Sequence, residues 1–83
     1  MAKISIIMPL YNAAKYLPEA LQSVLRQTHR NFEIICINDC STDNTAEILW
    51  EFQRKDARIR ILANRERMGA GPSRNKGLKA AEG

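Results

Sequence analysis

An aromatic ring, a carboxylate and a guanidinium each stand where an apolar run gives way to a polar turn. They are Tyr11 in Pro9-Leu10-Tyr11-Asn12, Asp39 in Asn38-Asp39-Cys40-Ser41, and Arg74 in Gly69-Ala70-Gly71-Pro72-Ser73-Arg74-Asn75. Together they suit a nucleotide. An aromatic face stacks on a base for roughly 1 to 3 kcal/mol, a carboxylate accepts an imide or amide N–H, and an arginine beside helix-end amides neutralises phosphate. A buried carboxylate without a donor is costly, so Asp39 would admit uracil, thymine and guanine and disfavour adenine and cytosine. Each residue also has a structural account. Asp39 could brace the turn into the next helix, Tyr11 could be a half-buried loop aromatic, and Arg74 an exposed helix residue. Asn12 reads as a turn or helix cap.

Other chemistries find less support. Cys36 and Cys40 are the only cysteines, and with the one distant histidine, His29, they cannot complete a four-ligand zinc site. Both read as structural thiols. His29 has no acidic or cysteine neighbour and is assigned no catalysis. Gly69, Gly71 and Gly77 form G-x-G-x5-G after the third apolar run, with Arg74 in the place of the third fingerprint glycine. The turn after the first run holds no glycine, so a dinucleotide pyrophosphate could not approach its backbone closely.

These residues need elements to hold them. Lys3 to Pro9 is a β-branched, apolar run of the kind covered on both faces, and Phe32 to Ile37 repeats it. Between them Leu17, Ala20, Leu21, Val24, Leu25 and Thr28 fall on one stripe, predicting a helix over 15–27 with Pro18 in its first turn. Asn44 with Glu47 makes a cap-like start for a helix over about 43–55, carrying Ile48, Leu49, Trp50 and Phe52. Arg58 to Leu62 alternates as an edge strand with one wet face would. Asn64 to Ala70 reads as loop. A third helix opens at Gly71-Pro72-Ser73 and runs to about Ala81, with Gly83 at its end.

Strands alternating with helices predict an α/β fold: an open, parallel three-stranded sheet of order 3-2-1 with three helices. In such a sheet the loops after the strands converge, which would gather Tyr11, Asp39 and Arg74 on one rim. The first strand is the most apolar, yet nothing supplies it with a second neighbour. The chain therefore reads as a fragment with a central strand left at an edge, prone to self-association there.

Eighty-three residues allow a single unit, 1–83, with a small core. No apolar stretch approaches the ~20 residues of a membrane helix, and no secretory signal precedes the first run, so a cytoplasmic setting is expected. Residues 1–53 hold four Lys/Arg and six Asp/Glu, net −2, whereas residues 54–83 hold nine and three, net +6. The basic segment contains no Phe, Tyr or Trp. That disfavours nucleic acid bound through stacking.

Four stretches share a further property. Ile-Ser-Ile-Ile-Met-Pro-Leu-Tyr-Asn, Ala-Leu-Gln-Ser-Val-Leu-Arg-Gln-Thr, Phe-Glu-Ile-Ile-Cys-Ile-Asn-Asp-Cys-Ser-Thr-Asp-Asn-Thr and Gly-Ala-Gly-Pro-Ser-Arg-Asn-Lys-Gly-Leu follow in order. In this order the chain resembles, over essentially its whole length, the start of family 2 glycosyltransferases of the GT-A fold. The resemblance implies transfer of a sugar from a nucleotide diphosphate donor, usually a UDP-sugar, to an acceptor hydroxyl with inversion. It implies that Asp39 receives the uracil N3–H, that Pro9 and Tyr11 contact base and ribose, and that Arg74 reaches the nucleotide. Asn38 stands where many members carry a first aspartate, and Cys40 where many carry glycine. The Asp-x-Asp motif that holds Mg²⁺ or Mn²⁺ in the family follows later than Gly83, as do its base and acceptor site. The 83 residues alone are thus expected to be inactive, with no cofactor of their own. A non-enzymatic nucleotide-binding or regulatory module is the alternative.

Overall fold

Alternation of β-branched runs with amphipathic stretches predicts a strand–helix repeat. The computed structural model, which describes residues 4–27 and 31–81, realises it three times. The elements are β1 (Ile4–Leu10), α1 (Leu17–Leu25), β2 (Phe32–Asn38), α2 (Thr45–Lys55), β3 (Ile59–Ala63) and α3 (Ala70–Ala80). All pairing is parallel and the sheet order is β1-β2-β3, which is the expected 3-2-1 read from its other edge. Thr28, His29, Lys3 and Gly83, which carried parts of the expectation, lie outside the described residues.

Side-chain alternation along the strands sorts the molecule into two layers around the sheet. Phe32, Ile34 and Cys36 of β2 pack with Leu17 and Leu21 of α1, Leu49 of α2 and Ile59 of β3, and all of these are buried. On the opposite face α3 packs on β1 and β2. That approach is close: a Cβ on Gly77 would lie 2.7 Å from Ile7 Cγ2 and 2.8 Å from Ile37 Cδ1. β2 is buried from Phe32 to Ile37 because a helix layer covers each face and a strand flanks each edge. Burial also pushes the Cys36 thiol up to about 12, so it stays protonated, as a structural thiol should.

The element ends show where local chemistry outweighs periodicity. α1 is shorter than 15–27, but Pro18 does sit in its first turn, where a missing amide proton has no helical partner to lose. α2 begins after Asn44, whose side chain makes no capping bond. Its ψ of 27° is far from the extended backbone that aims a capping oxygen at the helix amides. Asp43 does this instead, accepting the Thr45 amide at 3.0 Å. Trp50 is 69% exposed, off the stripe that buries Leu49.

Arg60 of β3 is not simply solvated. It donates to the buried Glu33 at 2.9 Å and to the Ala80 carbonyl at 2.8 Å, while Ser5 Oγ donates to Glu33 at 2.6 Å. A polar ladder thus crosses all three strands and ends on the C-terminus of α3, where a cation is favoured by the helix dipole. Arg58 lies over the Phe32 ring and pairs with Asp56 at 2.7 Å.

Candidate functional site

Two backbone bonds carry the parallel ladder one step past the strand ends: Asp39 N–H to Leu10 O at 2.8 Å, and Asn64 N–H to Asn38 O at 3.0 Å. The three following loops therefore leave the sheet side by side. The first two are stapled together. Asn12, at a left-handed φ of 50°, accepts the Thr42 amide at 2.7 Å on its Oδ1 and gives its own amide to Ser41 Oγ at 3.0 Å. The Ala13 amide goes to the buried Thr45 hydroxyl, and the Ala14 amide to Asp43 Oδ2. Asn12 is a cap as expected, but for a loop thirty residues further on.

The staple brings Tyr11 and Asp39 to one rim. They line an open cleft of about 100 Å³ with Pro9, Leu10, Arg67, Ala70 and Ser73. Tyr11 is 45% exposed and Asp39 is buried. Cys40, next to Asp39, has a φ of 59°. That left-handed geometry is one glycine adopts most cheaply, so Cys40 carries a backbone cost there. Its Sγ reaches the Asn64 carbonyl at 3.2 Å.

The Asp39 carboxylate is densely bonded. Oδ1 accepts Asn64 Nδ2 at 2.9 Å and the Met68 amide at 2.8 Å, Oδ2 accepts the Gly69 amide at 2.9 Å, and the Arg67 guanidinium forms an ion pair with Oδ2, Nε lying 3.1 Å away. These donors, Asn64 foremost and then Met68, hold the carboxyl below the usual carboxylate range against the opposing effect of burial. Asn64 is itself fixed: Lys76 Nζ donates to its Oδ1 at 3.0 Å, which leaves Nδ2 to bridge Asp39 and Ser73 Oγ. Asp39 does brace a turn, but the turn into α3. Gly69, at φ 88°, makes that turn possible.

Pro9, Tyr11 and Asp39 thus come together, whereas Arg74 does not join them. It is exposed on α3, one turn beyond Ala70, and is not among the residues that line the cleft. The guanidinium in the cleft belongs to Arg67, which lies 3.5 Å from the centroid of the Tyr11 ring. Asn64, Arg67 and Ser73 were not singled out in the sequence. Arg67 is one of nine cations in a thirty-residue stretch, and only the reversal at Gly69 picks it from the others.

Among the described residues no group of three or more His, Cys, Asp or Glu could hold a metal ion, and the Asp39 oxygens are already committed to N–H donors. A divalent cation does not fit these residues. Among them, no helix is long and apolar enough to cross a membrane.

Known proteins are similar to this chain in sequence and fold. The family model described as Glycosyl transferase family 2 matches residues 5–83. Glycosyltransferase GlyG of Streptococcus pneumoniae serotype 4 is 42% identical over 80 residues, which is 96% of this chain and 27% of GlyG. The crystal structure of Staphylococcus aureus TarS 1-349 in complex with UDP superposes with a TM-score of 0.89 at 38% identity, over 98% of this chain and 25% of that one. A mannosyltransferase of Pyrobaculum calidifontis, solved with GDP-Man and Mn²⁺, gives a TM-score of 0.88 at 23% identity over 95% of this chain and 24% of its own. That last likeness speaks for the fold alone. The chain spans roughly a quarter of the length of these relatives.

Proposed function

We propose, from the premise that this chain belongs to glycosyl transferase family 2, that it is the donor-recognition part of an inverting glycosyltransferase. The donor is a UDP-sugar and the acceptor a hydroxyl. The observation that carries this reading is the shared rim: the Tyr11 ring and the Asp39 carboxylate open into one cleft at the C-terminal ends of β1 and β2. An aromatic face beside an anchored acceptor matches a base that offers an imide N–H between two carbonyls, as uracil does. The UDP held by TarS supports uridine as that base.

In this reading the residues divide the work. Tyr11 and Pro9 support the base and ribose, and Asp39 orients the base through its imide. Arg74, one turn along α3, offers positive charge toward the phosphates. Mg²⁺ or Mn²⁺, with its ligands and the catalytic base, would come from beyond these residues and would neutralise the leaving diphosphate.

Calorimetric titration with UDP and ADP tests the base assignment. UDP should bind more tightly than ADP. Asp39→Asn, which keeps size but loses the anionic acceptor, should weaken UDP by roughly tenfold with an unchanged circular dichroism spectrum. Equal affinities for UDP and ADP would remove the basis for the reading.

A further inference from the structure

A carboxylate offers about four lone-pair positions, and four groups crowd those of Asp39: three hydrogen-bond donors and one ion-pair partner. The three donors are fixed. Two are backbone amides, and the third is Asn64, buried and held in turn by Lys76 and Ser73. The fourth is different. The Arg67 side chain is 49% exposed and meets Oδ2 as an ion pair, Nε lying 3.1 Å away. The same guanidinium lies over the Tyr11 ring. One long, flexible side chain therefore covers the aromatic face and also holds the only exchangeable position on the carboxylate.

We propose that Arg67 is a specificity-determining residue of the cleft: a base enters by exchange, its imide N–H replacing Arg67 Nε at Asp39 Oδ2 and its ring replacing the guanidinium over Tyr11. This rests on the nucleotide reading given above and deepens it. The exchange sets two conditions at once. A ligand must bring a flat face, because it displaces a cation–π contact. It must also bring an N–H donor, because a ligand without one leaves a buried carboxylate short of the charge pairing that Arg67 had supplied. Uracil and guanine meet both conditions. Cytosine and adenine present an acceptor at the corresponding ring nitrogen and meet only the first.

The test uses nucleosides, so that the attraction between Arg67 and phosphate does not enter. In the whole protein with ¹⁵N-labelled arginine, the Arg67 Hε signal should be shifted upfield by the Tyr11 ring. Saturation with uridine should return it to the position of a solvent-exposed arginine. Arg67→Ala should bind uridine roughly threefold to tenfold more tightly than the unaltered protein, since no occupant has to leave. A signal that stays under the ring at saturation, or an Arg67→Ala variant that binds uridine no better, overturns the proposal. The two readings fail separately. If Asp39→Asn weakens uridine while Arg67→Ala does not strengthen it, only the exchange falls. If neither uridine nor guanosine binds, or Asp39→Asn binds uridine unchanged, the nucleotide cleft falls and the exchange with it.

Discussion

At the scale of single residues, Asp39 serves two ends: it anchors the loop into α3 and it forms the floor of the cleft. Its depressed pKa makes the first role measurable. A carboxyl held below its ordinary 3.8 stabilises the fold fully above that value and loses the contribution as pH falls through the lowered one. Asn64 is the leading cause of the depression, so Asn64→Ala should bring the folded-state pKa back toward 3.8. The stability gap between unaltered protein and Asn64→Ala, read from urea unfolding, should then narrow as pH falls from about 6 to about 3. A gap that stays constant over that range would mean that Asn64 acts on Ser73 and Lys76 alone. Neither the Asn64 bridge nor the Arg67 contact was legible in the sequence. Both are made across the fold by residues of a loop whose composition shows only that it is polar.

At the scale of elements, more could be read. The strand–helix alternation, the parallel order and the convergence of Tyr11 with Asp39 follow from hydrophobic period and right-handed crossover. Helix ends were less legible, because they are settled by backbone angles such as those of Asn44 and Gly69, which periodicity does not encode. The seat of α3 was also hidden. Nothing in Lys-Gly-Leu announces that Gly77 must lie against Ile7 and Ile37. Gly77→Ala would ordinarily favour a helix by up to about 1 kcal/mol. Here the added methyl would meet two branched side chains inside contact distance, and overpacking of this kind costs about 1 to 3 kcal/mol. Thermal unfolding should therefore show a net loss of stability, and a gain would show that the isoleucines yield freely.

At the scale of the whole molecule, the sheet is unevenly covered. β1 pairs with β2 and, among the described residues, with no other strand. Beside it Ile4, Ile6, Val24 and Phe32 line an apolar groove of about 260 Å³. Pro9 removes one donor from that edge but leaves the others. We propose that the 83 residues studied alone self-associate along β1, and sedimentation velocity at rising concentration should show a species heavier than monomer. A monomer throughout would mean that Pro9 and the strand's twist protect the edge well enough. α3 joins this scale to the first. Its first turn is tied to Asp39 through Gly69, and its last carbonyl to Glu33 through Arg60. Eleven helical residues span about 16 Å, so α3 is a strut pinned at both ends. A ligand that tugs on Asp39 would not bend such a strut but tilt it, carrying the disturbance to the far margin of the sheet.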